Sequence, residues 1–213
     1  MSSVRILQAA RWSPEGCGRL GEAGFSYPEA LPDWGHVSAR PFDRFPRLDP
    51  LSKVVNILIE WLLAPQPAVG EPGFILASRY GCVEADLAYY RTAVDNPALA
   101  SPQLFPYTLP SAGLAEAAIR HGLRGPAAVL LQDESLDAGL SQAQRWLETG
   151  EARRCLVLHA DAVLSAGANF LQVPPRVEGW AFLLGTDEGS WAWPKPAGPG
   201  RILPRDFYAA LNL

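Results

Sequence analysis

Cysteine is scarce in this chain of 213 residues, and the three that occur form no recognisable pattern. Cys17, Cys82 and Cys155 lie far apart, no two form a Cys-x-x-Cys pair, and the three histidines are scattered along the sequence. Zinc sites and disulfide frameworks need such clustering. We therefore expect no metal, no cofactor and no disulfide, and the reducing cytoplasm is the expected location.

Blocks of charge and long apolar runs are also missing. The net charge is −4 and only 19% of the residues are charged, with no basic block of the kind that binds nucleic acid. No long apolar stretch near the N-terminus precedes a cleavage site, so we expect no signal peptide. The longest apolar run, residues 54–63, contains Asn56 and Glu60 and is too short to span a bilayer.

Apolar residues are abundant, at 48% of the chain, which is enough to form a sizeable core. The length fits one domain over residues 1–213. We predict a glycine- and proline-rich excursion at 13–50 and an irregular tail at 190–213.

Short apolar runs alternate with amphipathic segments through the rest of the chain, and this alternation predicts an α/β fold with a mixed, mostly parallel five-stranded sheet between helices. The predicted strands are 4–10, 74–78, 127–131, 154–160 and 180–185. The predicted helices are 51–63, 83–94, 113–121 and 136–148. Because residues 127–131 are all apolar, we expect that strand to be buried on both faces.

A sharp elbow between strand 127–131 and helix 136–148 is the main candidate site. Such a turn exposes its residue above the sheet and directs N–H groups of the helix N-terminus at it. Here the elbow consists of Gln132, Asp133, Glu134 and Ser135. The helix dipole favours a carboxylate there by about 0.3–1 kcal/mol. The alternative interpretation is that Asp133, Glu134 and Ser135 simply cap the helix.

Two other candidate nucleophiles are weaker. Ser135 lacks the G-x-S-x-G context of a serine hydrolase, and no His/Asp pair can be assigned to it. Cys82 follows Gly81 at another strand-to-helix turn, where we interpret it as a small apolar residue packed under the helix.

The segment that leads to the elbow contains a series of motifs that resembles the N-terminal domain of the β-ketoacyl synthases, in the thiolase superfamily. The motifs are Ser101-Pro102, Leu104-Phe105-Pro106, Pro110-Ser111-Ala112-Gly113 and Gly122-Leu123-Arg124-Gly125-Pro126. Weaker similarity extends over about residues 50–190. The resemblance implies a thiolase-like half as the fold.

Two departures from that family determine the expected function. Counted from Gly125-Pro126, the position of the family's reactive cysteine falls on Glu134. The family's decarboxylating histidines lie in a second half, for which this sequence has no counterpart. The chain thus resembles chain-length-factor-like proteins, which lack the cysteine, pair with an active ketosynthase and shape its acyl tunnel.

This resemblance implies a non-catalytic subunit of a bacterial fatty-acid, polyketide or aryl-polyene pathway. It would pair with an active ketosynthase or with a second copy of itself. The same resemblance implies an acyl-carrier protein as a further partner. The implied tunnel or dimer contacts are Leu104, Phe105, Pro106, Val129 and Leu131. Two alternatives stay open: a decarboxylase or acyl-transfer enzyme that uses Glu134 and Ser135, and a scaffold that binds acyl-carrier protein.

Overall fold

The computed structural model describes residues 4–27, 31–63, 71–94, 96–186, 191–192 and 201–212. The strands are β1 (Arg5–Ser13), β2 (Gly16–Arg19), β3 (Gly73–Ser78), β4 (Ala127–Leu131), β5 (Arg154–Val163), β6 (Arg176–Gly185) and β7 (Trp191–Ala192). The α-helices are α1 (Pro50–Leu63), α2 (Val83–Ala93), α3 (Ala112–His121), α4 (Asp137–Thr149), α5 (Ser165–Leu171) and α6 (Pro204–Ala209). Short 3-10 turns lie at 34–36, 45–47, 97–99, 105–108 and 210–212.

All the described strands form one mixed sheet in the order β2-β1-β6-β5-β3-β4, with β7 also paired to β1. Strands β4 and β5 flank β3 and run parallel to it, whereas β6 runs antiparallel to both β5 and β1. Four of the five predicted strands therefore point the same way, which confirms the mixed, mostly parallel arrangement. The sheet is larger than predicted, because β2 and β7 pair with β1 on the side away from β6.

Strand β2 corrects the prediction that residues 13–50 are irregular. It returns from β1 as a hairpin, with Trp12 opposite Cys17. Gly16 and Gly18 have φ of 136° and 133°, a conformation that residues with side chains rarely adopt. The Gly-Cys-Gly-Arg sequence lacks the β-branched and aromatic residues by which strands are recognised, so composition alone indicated a loop.

Helix α1 forms the core on one face of the sheet. Its residues 54–60 are all buried, and it contacts β1, β5, β6 and α3. The helix begins as predicted, because Asp49 Oδ2 accepts hydrogen bonds from the backbone N–H groups of Leu51 and Ser52 at 3.1 and 3.4 Å. Asn56 Nδ2 donates to the carbonyl of Gly113 at 3.0 Å and so connects α1 to α3.

Glu60 is a fully buried acid in α1, with 1% of its surface exposed. Its carboxylate accepts hydrogen bonds from Arg120 Nε at 2.7 Å and from Ser38 Oγ at 2.6 Å, and His121 Nε2 lies 3.2 Å away. Burial alone would raise the pKa of Glu60, but His121, Arg120 and Ser38 outweigh it and hold the pKa well below 4.5. This group of residues joins α1, the end of α3 and the loop before α1.

Helix α4 covers the opposite face of the sheet, so the fold has three layers. Its buried Leu140, Ala143 and Leu147 form the predicted apolar stripe and belong to a cluster with Ile75 and Val157. Helix α6 adds Phe207 and Tyr208 to the same cluster, and it lies at the end of the tail, where a last short helix was the one regular element that we considered. Helix α5 was not predicted.

Strand β4 is an edge strand, which contradicts the expectation that it is buried on both faces. Among the described strands it pairs with β3 alone, its two end residues are exposed and Leu131 is 64% exposed. Val129 packs toward the α1 side and Leu130 toward the α4 side, so both faces are only partly covered. An apolar run predicts burial, but it cannot tell whether the burying surface belongs to the same chain.

The Gly125-Pro126 motif fixes the start of β4 against β3. The backbone N–H of Phe74 donates to the carbonyl of Pro126 at 2.9 Å. A Cβ atom at Gly125 would overlap the carbonyl oxygen of Pro72. Only glycine therefore allows this approach of the two backbones, which explains its place in the motif.

Candidate functional site

The elbow is held by its own hydrogen bonds rather than by capping of α4. Gln132 Nε2 donates to the carbonyl of Ser135 at 2.7 Å, and the N–H of Ser135 donates to Asp133 Oδ1 at 3.3 Å. Helix α4 begins at Asp137, and its N-cap residue, Leu136, makes no side-chain cap hydrogen bond. The interpretation of residues 133–135 as helix caps is therefore wrong, because the elbow ends before the first turn of the helix.

Glu134 is held by two arginines. Its Oε1 accepts hydrogen bonds from Arg176 Nη1 at 2.6 Å and from Arg79 Nη1 at 3.1 Å, and Arg176 also pairs with Glu178. The Glu134 side chain is 38% exposed. The hydrogen bond from Arg176 lowers the pKa of Glu134; partial burial opposes this, and Arg79 reinforces it. Glu134 is therefore a paired carboxylate anion at neutral pH.

The sheet topology brings these three side chains together. Arg79 directly follows β3, and Glu134 lies three residues after β4, which is parallel to β3. Arg176 begins β6, which runs the opposite way, so its first residue lies at the end of the sheet where β3 and β4 finish. Arg79 immediately follows the predicted strand 74–78, which is a signal that the sequence offers, whereas Arg176 lies four residues before the predicted strand 180–185 and gives no such signal.

A buried polar pair on β5 lies beneath the elbow. Asp161 Oδ1 accepts hydrogen bonds from Ser78 Oγ at 2.7 Å and from the N–H groups of Arg79 and Tyr80 at 3.0 and 3.1 Å. Its Oδ2 lies 4.0 Å from His159 Nε2, and among the described residues neither ring nitrogen of His159 has a hydrogen-bond partner. Burial lowers the pKa of His159, with Asp161 opposing that shift, so the imidazole is neutral.

A cavity of about 180 Å³ opens beside Glu134. Its lining combines charged and apolar side chains: Pro14, Glu15, Glu134, His159, Arg176, Glu178, Trp180, Leu203, Pro204 and Arg205. At Pro14 and Glu15 it adjoins a wider cleft of about 690 Å³ around the β1–β2 hairpin. The smaller cavity is the one in contact with the elbow, so it is the candidate site.

The described residues place no reactive nucleophile at the elbow. Cys82 is 5% exposed, its Sγ lies 3.5 Å from Asp86 Oδ2, and burial raises the pKa of its thiol to about 12. This agrees with the interpretation of Cys82 as a packed residue. Ser135 is also buried, and no described hydrogen bond joins its hydroxyl to a histidine. The chemistry available at the elbow is therefore charge pairing.

No group of three or more His, Cys, Asp and Glu side chains in the described ranges is arranged to hold a metal ion. Within those ranges, no helix combines the length and the apolar character needed to cross a membrane.

The predicted contact residues lie mostly on one surface. Phe105 is 57% exposed, and its ring lies 5.6 Å from that of Tyr89. Pro106 is also exposed, whereas Leu104 is half-buried. Val129 is half-buried toward the core, so only the backbone edge of its strand faces outward.

Leu131 and Pro110 both approach the Cβ position of Gly81, at 3.3 and 3.4 Å, which places the end of β4 beside the loop that follows Phe105. Leu109, 57% exposed in that loop, was not predicted. We call Phe105, Leu109, Leu131 and the free side of β4 the apolar edge.

Together, this sheet and its elbow define a thiolase-like fold, the fold of ketosynthases and chain length factors. No family model matches the sequence, and no similar sequence was found among curated proteins. Solved structures are similar in fold at 12–18% identity.

One similar structure is the ketosynthase ApeO in complex with its chain length factor ApeC from Xenorhabdus doucetiae, with a TM-score of 0.72 and 16% identity. That match covers 99% of this chain and 92% of the other. The ishigamide ketosynthase/chain length factor matches with a TM-score of 0.66 and 18% identity, over 89% of this chain and 64% of that one.

A third similar structure is AntDE:AntF, a type II PKS acyl-carrier protein in complex with its ketosynthase bound to the hexaketide. It has a TM-score of 0.65 and 12% identity, over 87% of this chain. This chain spans 64% of that chain, as it does of the ishigamide chain. This chain therefore spans less than two thirds of the length of each of these two chains.

Proposed function

We propose that this chain is the non-catalytic, chain-length-factor-like subunit of a ketosynthase pair. The observation that carries the proposal is the ion pairing of Glu134 with two arginines. Counting from Gly125-Pro126 assigns Glu134 to the position of the ketosynthase cysteine. Acyl transfer needs a thiolate that forms a thioester. A carboxylate held by Arg79 and Arg176 offers no such group, so the condensation belongs to the partner.

The pathway follows from the same likeness. A bacterial fatty-acid, polyketide or aryl-polyene pathway is the setting that we propose, with acyl-carrier protein as a further partner. The similar structures, which include chain length factors and an acyl-carrier protein complex, support this. The three cysteines are free thiols, which supports a reducing cytoplasm as the location.

The apolar edge is the surface through which we propose that pairing occurs. No strand in the described part of the chain lies on the outer side of β4, so its backbone N–H and C=O groups there are open to pairing with another chain. Phe105, Leu109 and Leu131 are each more than half exposed next to it. A ketosynthase, or a second copy of this chain, would cover these residues and complete the burial that the apolar sequence of β4 predicts.

The tunnel-shaping role rests on Leu104 and Phe105. Both lie at the 3-10 turn over 105–108, beside the apolar edge. A bulky side chain that reaches across the pair would limit the depth of the partner's acyl tunnel. Leu104→Ala and Phe105→Ala are then expected to lengthen the product in the full pathway, and an unchanged product distribution would argue against this role.

Co-purification with the active ketosynthase tests the pairing. Light scattering should show a dimer, and Leu131→Lys should abolish it. Leu99→Lys is the matched control, because Leu99 is 70% exposed but lies on another element. A strict monomer that does not retain the ketosynthase, or equal effects of the two variants, would remove the proposal.

Intact-mass measurement tests the absence of catalysis. After incubation with acyl-CoA or acyl-carrier protein, we expect no stable acyl adduct on this chain. An adduct that persists in Cys82→Ala but disappears in Glu134→Ala or Ser135→Ala would support an acyl-transfer enzyme instead.

A further inference from the structure

The ion pairs at the elbow have the form of an occupied binding site. Arg79 and Arg176 come from different strands and both donate to the same oxygen of Glu134, at 3.1 and 2.6 Å. We propose that these two arginines form a carboxylate-binding site, and that Glu134 is its built-in occupant. A short-chain monocarboxylic acid would displace Glu134, pair with the arginines and place its alkyl chain in the adjoining cavity.

The head group of such a ligand would replace Glu134 at small cost. The side chains of Glu134, Arg79 and Arg176 are 38%, 47% and 28% exposed. Ion pairs that are this accessible to water contribute little net stability, because water solvates the separated charges well. Guanidinium groups hydrogen-bond any carboxylate with the same geometry, so an incoming acid would regain the contacts that Glu134 loses.

The cavity has room for the alkyl chain of the ligand. Its wall includes Trp180, Leu203, Pro204 and Pro14, which offer apolar surface next to Arg176. A volume of about 180 Å³ corresponds to roughly six water molecules at about 30 Å³ each, which is room for a chain of a few carbons. The ligand would thus have its charge at the arginines and its apolar part against the tryptophan.

The charges around the cavity restrict the ligand to a single carboxylate. Glu15 and Glu178 line the cavity, and Asp161 lies buried behind His159. Arg205, also in the lining, lies 4.0 Å from Glu15 and is exposed. A second carboxylate at the far end of the ligand would face Glu15 and be repelled, and at the head-group end Glu178 already pairs with Arg176.

Calorimetric titration of the full chain with butyrate, at constant ionic strength, tests the site. Glu134→Ala empties it, and we expect this variant to bind butyrate at least about tenfold more tightly than the wild type, because charge-assisted hydrogen bonds no longer compete with an internal carboxylate. Glu134→Gln, which removes the charge and keeps the shape, should give a smaller gain. Adding Arg176→Gln to Glu134→Ala should remove the gain.

Asp133→Asn is the matched control, because it removes the charge of Asp133 and keeps the oxygen that accepts the hydrogen bond from the Ser135 N–H. Asp133 belongs to the same elbow as Glu134 and pairs with Arg201 at 2.6 Å. Unlike Glu134, it contacts a single arginine, which is exposed, and it does not line the cavity. The affinity of this control variant for butyrate should equal that of the wild type. Thermal unfolding of each variant verifies that it is folded, and Glu134→Gln decides the question if Glu134→Ala does not fold.

A ligand series separates the head group from the alkyl chain. Acetate should bind more weakly than butyrate, succinate should also be weaker, and neutral butyramide should not bind. Equal binding of butyrate and butyramide, or an affinity of Glu134→Ala no higher than that of Asp133→Asn, would overturn the proposal. The titration needs no ketosynthase, so its outcome is independent of the pairing proposed above.

Discussion

Glu60 and Glu134 are both glutamates held by basic groups, yet they differ in depth. Glu60 is 1% exposed and contacts Arg120, His121 and Ser38. Glu134 is 38% exposed and contacts Arg79 and Arg176. In both, the surroundings lower the pKa of the carboxyl group. The chemistry of the pairing is thus similar, and the access of water differs.

Depth determines what each carboxylate can do. Removal of one partner from a buried pair leaves an uncompensated charge in the core, which is costly, whereas water replaces a lost partner at the surface. Glu60 is therefore fixed in place and contributes to the cohesion of the fold. Glu134 can exchange its partners, and this freedom makes the elbow the better candidate for binding.

The largest effect is expected for Glu60→Gln. We expect it to lower the free energy of unfolding by about 3–5 kcal/mol, because Arg120 then lies next to a neutral amide in the core. Urea denaturation followed by circular dichroism measures the loss. A loss of free energy of unfolding below about 1 kcal/mol, which is typical of exposed ion pairs, would contradict the distinction between buried Glu60 and exposed Glu134.

Arg120→Lys should have the next largest effect, a loss of about 1–3 kcal/mol. Arg120 donates to Glu60 and to the carbonyl of Pro41 at 2.7 Å, and its guanidinium lies 4.5 Å from the ring of Trp34. Lysine keeps the charge but cannot make these contacts together. Arg44→Lys is the control, since Arg44 pairs with Glu116 at 2.6 Å but is half exposed; equal losses would show that charge alone matters at position 120.

Acid should destabilise the wild type more than Glu60→Gln. Because the folded state holds the pKa of Glu60 below its ordinary value of 4.5, the unfolded chain binds more protons at low pH. The stabilisation by Glu60 is therefore present above pH 4.5 and is lost as the pH falls below it. Denaturation midpoints between pH 3 and pH 6, as an approximate range, measure this; parallel slopes for both proteins would contradict it.

Glu134→Gln is expected to have the smallest effect, a loss of under about 1 kcal/mol that shrinks further in high salt. Water remains to solvate both arginines, and Glu178 still pairs with Arg176. Urea denaturation at low and high salt measures it. A loss as large as that of Glu60→Gln would show that the elbow pairs are structural in the same sense as the buried group.

The sequence predicted those parts of the fold that depend on local pattern. Apolar runs and helical spacing located the five central strands and helices α1 to α4, and the Gly125-Pro126 motif located the elbow. Strand β2 was not predicted because its glycines give no strand signal. The dimer contacts expected at Val129 and Leu131 implied an edge position for β4, but its expected burial on both faces was wrong for the single chain, since an apolar run does not show which chain covers it.

The site was predicted only in part, for a similar reason. Counting along the chain placed Glu134 at the elbow, because the motif and the elbow are contiguous. Arg79, Arg176 and the His159–Asp161 pair come from separate strands and meet only through the order of the sheet. Pairing of this kind depends on topology, which the spacing of residues in one sequence does not contain.

All three thiols are buried, so the rate at which each reacts can measure local opening of the structure around it. Burial raises the pKa of Cys17 to about 11 and of Cys155 to about 12, as it does for Cys82, so a thiol reagent reacts only after the surrounding structure opens. Cys17 reports on the β1–β2 hairpin, Cys82 on the turn before α2, and Cys155 on the centre of the sheet. Their labelling rates would rank these regions by the free energy of local opening.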